Sequence, residues 1–354
     1  MGNDADGKHE HSATTTPSDA AQPVQPWEDG YRTNGIEEAF EWWYFDSIFE
    51  DGTAIVVCYT TKAKKPTKPP VTPNVSTIIQ NASGEKRKVS IAYSAAEFSS
   101  STESCDVAIG PNRWKGDLDH YEMHNEGEGM VLDLTFDRGA PSWRPGLGVD
   151  FVDKSETTWS GWVVPVPYGT VEGTLIVDGE TRSLKGTCYH DHNWSNINLG
   201  AYLDHWYWGR GHVGDFTMVF SMLTYRKAFG PSGVKERPVF YLAKGDKILT
   251  DDAEPLTLVT RQLKKGPGGK SYPELLDWHW HTAGGDVHLA LRDVKLLDAV
   301  DLSETLPSWE RPLAHLLGNP FYFDFRAELE LTVDLEGIHE RAAGSIVFEK
   351  MMLK

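Results

Sequence analysis

The stretch CYHDHNWSN, residues 188–196, holds the densest mixture of titratable and aromatic side chains in the sequence. Read as a strand, it turns Tyr189, Asp191 and Asn193 to one face and His190, His192 and Trp194 to the other. Two histidines at i and i+2 have a metal-ligand spacing, and His279 and His281 in WHWH repeat it. A zinc or iron site needs further ligands and supporting hydrogen bonds that the spacing does not supply, so no metal is expected. Proton transfer fits the stretch better. A carboxyl at Asp191, buried among Tyr189, Trp194 and Trp206, is disfavoured as an anion and remains an acid near neutrality. Imidazole as a group titrates in the working range, which suits His190 or His192 to relay or accept that proton. Aromatic faces nearby hold a developing cation. Such a set protonates an alkene, stabilises a carbocation, or polarises a carbonyl to activate a dienophile. A structural Asp–His pair closing a barrel uses the same residues, and the residues alone leave both readings open.

Two aromatic clusters extend the set. In DHWYWGRG (204–211), Arg210 beside Trp206 and Trp208 is either a buried cation that orients Asp191 or a substrate carbonyl, or an ion-pair partner with no substrate contact. In EAFEWWYFD (38–46), Trp42, Tyr44 and Asp46 share one strand face, and Glu41, Trp43 and Phe45 the other. One face is core and the other lines a cavity; alternation does not say which. The chain has no GxGxxG opening a helix, no Walker loop, no GxSxG elbow and no HExxH. Nicotinamide, ATP and serine-hydrolase chemistry are thereby disfavoured. A cofactor-free enzyme or a carrier of an apolar ligand remains.

The elements that must position these residues read as short strands. TAIVVCYTT (53–61), EGMVLDLTF (128–136), GTVEGTLIVDGETRSLKGT (169–187), GDFTMVFSMLTY (214–225) and FRAELELTVDLEG (325–337) are examples, with Asp-Gly hairpin signals at 51–52 and 178–179. SWERPLAHLLG (308–318) is the best helical signal, while KAKKPTKPPVTP (62–73) and KKGPGGKSYP (264–273) read as surface loops. Many strands with little helix indicate an all-β sandwich or barrel. Residues 1–26 read as a disordered polar lead-in, 27–200 as one β domain and 201–354 as a second.

Composition sets the outer limits. With 52 acidic and 34 basic residues the net charge is −18, so nucleic acid and anionic membrane surfaces are poor partners. A hydrophobic share of 40% builds a real core. Cys58, Cys105 and Cys188 form no disulfide pattern, no apolar run reaches ~18 residues, and the polar start lacks a secretory pattern. A cytoplasmic protein with a hydrophobic small-molecule partner is expected; the oligomeric state is left open.

EWWYFD (41–46), YHDHNW (189–194) and WYWGR (206–210) together resemble the carotenoid 1,2-hydratase (hydroxyneurosporene synthase) family. That group also holds kievitone-hydratase-like proteins and the lipocalin-like Diels–Alderases of fungal natural-product clusters. NPFYFDF (319–325) and GSIVFEKM (344–351) resemble the family's C-terminal strands. The resemblance implies two lipocalin-like β-barrels packed side by side, a hydrophobic pocket in or between them, and no cofactor. It carries catalytic roles to His190, Asp191 and His192. Trp194 is carried over with them, Tyr207 and Trp208 follow as neighbours, and Tyr189, Trp42, Tyr44 and Arg210 complete the expected substrate-binding set. Three activities follow from this reading. The first is a cyclase of specialised metabolism, of Diels–Alder or hetero-Diels–Alder type with acid-assisted dehydration as an option. The second is a hydratase or dehydratase acting at an isoprenoid C=C, and the third a non-catalytic carrier.

Overall fold

The computed structural model describes residues 22–62, 67–227, 229–230, 234–305 and 320–353. The helix expected over 308–318 and residues 1–21 of the lead-in lie outside them. The apolar alternation of the sequence becomes two antiparallel sheets, one of twelve strands and one of nine. In each sheet the first strand in sequence pairs with the last. In the first, Phe40–Phe49 lies between Ala54–Thr60 and Glu180–Ser195. In the second, Leu203–Val213 lies between Phe216–Tyr225 and Ile338–Met352. First-to-last pairing rolls each meander toward a barrel, and the two sheets form the expected pair of lipocalin-like domains. The four-residue helix Leu199–Tyr202 links them.

Local chemistry explains the reversals. Asp178 and Gly179 both take positive φ, 52° and 89°, between the long strands Trp159–Val177 and Glu180–Ser195, as a two-residue hairpin turn requires. The stretch 264–273, expected to be a loop throughout, is a loop only around Pro267–Gly269. Gly268 and Gly269 supply the left-handed backbone for the reversal, so Lys264–Lys265 and Ser271–Pro273 continue into paired strands.

Each sheet encloses its own core. Trp43, Phe45, Tyr59, Trp114, Tyr121 and Phe136 fill the first, and Phe220, Phe240, Trp278, Phe323, Phe325 and Phe348 the second. A third cluster, with Trp143, Val164, Tyr189, Val219, Val239 and Tyr241, joins the sheets face to face.

Charged groups lie inside the first core. The turn Pro26–Asp29 carries Asp29, which is 1% exposed, beneath the sheet. The Asp29 carboxylate accepts the Tyr121 hydroxyl at 2.7 Å and meets His190 Nε2 at 3.1 Å, while His190 Nδ1 meets the Tyr44 carbonyl at 2.9 Å. Trp43 donates its indole N–H to the Asp29 backbone carbonyl. Glu41, fully buried, accepts from the Arg32 and Thr33 amides and the Thr33 hydroxyl and meets His192 Nε2 at 2.7 Å. Groups of this kind are tolerated in a core only when paired. Asp29→Ala leaves His190 and Tyr121 without their partner and should cost about 3–5 kcal/mol of unfolding free energy in denaturant titration. A loss under about 1 kcal/mol, the level of an exposed pair, would show that the core does not rely on this carboxylate.

Candidate active site

Strand alternation divides the expected residues between two surfaces. On Glu180–Ser195, His190 and His192 turn into the first core, where His192 stacks on Trp43 with ring centres 4.5 Å apart. Trp194 points the same way and packs with Val24, Leu118 and Val163. Tyr207 lies in the second core, beneath the Lys350 ammonium. The opposite faces meet at the seam between the sheets. Asp191, Tyr189, Tyr44, Trp42, Trp208 and Arg210 belong to that side.

Asp191 is 8% exposed and its two oxygens are fixed separately. Oδ2 accepts the Tyr189 hydroxyl at 2.9 Å and the Trp162 indole N–H at 3.0 Å, and Oδ1 accepts the Asn193 amide at 2.8 Å. Burial pushes its carboxyl above the ordinary range, partly offset by those donors and by His190. Tyr44 stands directly opposite Asp191 in the strand pairing, and Asp46 opposite Tyr189. From the second sheet, Trp208 meets Tyr189 edge to face, ring centres 5.4 Å apart. Arg210 forks onto Asp46, with its Nε donating at 3.1 Å, and its guanidinium lies 5.1 Å from the Tyr189 ring centre. Burial brings the Arg210 pKa down to about 10.

Sequence reasoning did not single out the rest of the seam. Trp162 reaches Asp191 from the neighbouring strand Trp159–Val177. Tyr322 and Asp324 alternate with the core residues Phe321, Phe323 and Phe325. Glu349 follows Phe348, accepts the Trp206 indole N–H at 2.6 Å, and is pushed up by burial to about 7. The signal was present in FYFDF and VFEK, where a lone acid interrupts an apolar run. Tyr44, Trp162, Trp206, Trp208, Arg210, Tyr322, Asp324 and Glu349 all keep partial solvent contact although they come from interior strands of their sheets, so the seam is not sealed from solvent. Aromatic walls with a few convergent polar groups suit an apolar, unsaturated ligand. Cavities of about 280 and 460 Å³ are lined around Trp280 and Leu335 and around Ile91 and Met130, away from these residues.

The two HxH pairs belong to different sheets, and among the described residues no metal-ligating cluster joins them. His281 pairs with Asp286, and His279 stacks on His288. Asp29, Cys105 and His190 come within ligating reach of one another, but Asp29 and His190 are already engaged with each other. Asp277, near His279 and His288, is bound by Arg261 and Arg292. None of the three cysteines forms a disulfide, and among the described residues no helix is long and apolar enough to cross a membrane.

No protein-family model matches the chain. It is 27% identical over 146 residues to the quinolone epoxide rearrangement protein penF of Penicillium thymicola, a match covering 39% of this chain and 37% of that protein. The match thus spans little more than a third of that curated relative. Among solved structures, CghA with Sch210972 superposes with a TM-score of 0.60 at 15% identity, over 90% of this chain and 89% of that one. Kievitone hydratase from Nectria haematococca gives a TM-score of 0.57 at 15% identity, over 96% of each chain. These superpositions show that the chain shares its two-sheet β fold with CghA and kievitone hydratase.

Proposed function

We propose that the protein is a cofactor-independent enzyme of specialised metabolism that cyclises a hydrophobic polyene, isoprenoid or polyketide in the crevice between its sheets, with Asp191 as the acid. The observation that carries this reading is the Asp191 carboxyl itself: desolvated, set among the aromatic side chains of the seam, and held at both oxygens by Tyr189, Trp162 and Asn193. The crevice contributes by holding the reactive ends of a flexible chain in a near-attack geometry. Asp191, protonated, gives a hydrogen bond or a proton to a carbonyl or alkene that gains charge in the transition state. Trp208, Tyr44 and Trp42 provide the walls. His190 and His192 act from behind, fixing through Tyr44 and Glu41 the strands that carry the site.

The relatives support a small-molecule transformation on this fold: an epoxide rearrangement in penF and a hydration in kievitone hydratase. A second reading, hydration or dehydration at an isoprenoid C=C, is favoured by the same acid and by the partial water access of its neighbours. A passive carrier gains nothing from burying a carboxyl in its ligand site, since burial of a charge is costly.

Deleting the gene in its native host and comparing extracts by mass spectrometry separates the readings. A precursor isomeric with the lost product marks cyclisation, and a precursor differing by one water marks hydration or dehydration. An unchanged profile overturns the enzyme reading. Asp191→Asn, in purified form on the accumulating precursor, should lower turnover by about 10²–10⁴-fold while leaving the unfolding transition in place. An unchanged rate removes the acid role. Activity that needs protonated Asp191 is full at low pH and falls as pH rises through a midpoint above the ordinary carboxyl value, the direction its burial sets. A rate that instead rises with pH over that range would assign Asp191 to the base.

A further inference from the structure

The seam carries two more carboxyls, and their placement gives them a purpose. Asp324 and Glu349 face each other directly across the paired strands Phe321–Leu335 and Ile338–Met352, on the side turned toward the first sheet. Like charges in that relation repel, and more strongly away from water. The cations that act on Asp324 are committed elsewhere: Arg210 to Asp46, and Lys86 to Asp298 at 2.6 Å. Glu349 is met by neutral donors, the Trp206 indole and the Tyr322 hydroxyl, and Asp324 by the Phe325 amide. Two full negative charges are therefore poorly supported here. Burial, the main cause, raises Asp324 to about 6 and Glu349 to about 7, with Asp191 adding to the rise at Glu349.

We propose that Asp324 and Glu349 share one proton and act as the second proton station of the crevice, paired with Asp191 as the first. The proposal rests on the reading of Asp191 as the acid. Around the pair stand Asp191, Tyr44, Arg210, Trp206, Tyr322, Asp298 and Lys86, contributed by strands of both sheets. Two stations fit a substrate with a proton-accepting oxygen at one end and an acidic C–H at the other, such as a hydrophobic conjugated ketone. Asp191 gives its proton to the carbonyl oxygen, forming the O–H bond. The Asp324–Glu349 pair, carrying one negative charge, takes the proton from the conjugated carbon. The C–H electron pair becomes the new C=C as the carbonyl π pair moves to oxygen. The product is an electron-rich dienol of unchanged formula, the kind of diene a cycloaddition consumes. The proton then returns from the pair to Asp191 through solvent, and no oxidant or reductant is needed.

The test incubates purified wild type, Asp191→Asn, Asp324→Asn and Glu349→Gln with the lipophilic extract of the deletion strain in D₂O, followed by mass spectrometry. Wild type should place deuterium on carbon in the precursor or product. Asp324→Asn and Glu349→Gln should each slow that incorporation by about 10²-fold, the scale of a lost acid–base group. If both keep wild-type incorporation while Asp191→Asn loses turnover, the second station is overturned and the Asp191 reading stands. If all three variants behave as wild type, the Asp191 reading falls with it. Carboxyl ¹³C titration of the folded protein gives a readout without substrate. Wild type should show two coupled steps near pH 6 and 7, and Asp324→Asn should move the Glu349 midpoint downward. A Glu349 midpoint unmoved by that change overturns proton sharing.

Discussion

The register between Phe40–Phe49 and Glu180–Ser195 is the constraint on which the rest of the site depends. It sets Tyr44 against Asp191, Asp46 against Tyr189 and Trp43 against His192. Because side chains alternate with period two, a slip of one residue would send Asp191 into the first core and the histidines into the seam. What fixes the register is the severity of the two environments. Trp43, Phe45 and the imidazoles of His190 and His192 have their packing and hydrogen-bond partners beneath the sheet, and nothing on the seam side would replace them. The buried ionic cluster thus specifies, from behind the sheet, the geometry of a site on its opposite face, a role for which buried polar groups are suited.

The two faces of the same strand treat carboxyls differently. Beneath the sheet, Asp29 and Glu41 meet imidazoles, and Glu41 also takes two backbone amides. In the seam, Asp191 and Glu349 meet phenol, indole and amide donors, all neutral. Neutral donors orient a carboxyl without fully compensating its charge, so desolvation is left to set its protonation. The cation that could have compensated Asp191, Arg210, is held on Asp46 with its plane over Tyr189. Separate environments for nearby carboxyls are what acid–base chemistry in one site requires.

Much of this was legible in the sequence, and the rest was hidden for physical reasons. The all-β class, the Asp-Gly hairpin at 178–179 and the opposite facing of Asp191 and its flanking histidines all follow from period-two alternation, which is local. Asp191 stood out because it lies among aromatics within one strand. Asp324 and Glu349 did not, because their relation to Asp191 passes through cross-strand pairing in a second sheet and through sheet-on-sheet contact. Asp29 was hidden differently: it follows directly on a polar, Pro-dotted lead-in, and only the folded barrel shows that the turn it occupies is buried. The loop expected over 264–273 failed because glycine marks the reversal without saying how closely the strands follow it. Tyr207, flanked by Trp206 and Trp208, was assigned with its cluster when alternation alone would have separated it.

Arg210 shows how the seam holds two sheets together around polar side chains. A seam that carries carboxyls and phenols forfeits part of the apolar burial that would hold the sheets together, so directional contacts add to it. The guanidinium spans the gap with a planar fork that engages both Asp46 oxygens and still lies against the Tyr189 ring, whose hydroxyl holds Asp191. An ammonium at the same place would supply the charge but neither the fork nor the flat face. The same side chain therefore ties one sheet to the other, lies against the phenol that donates to Asp191, and is itself engaged on Asp46 rather than on Asp191. Joining the sheets and leaving Asp191 to neutral donors are in this way two consequences of one ion pair.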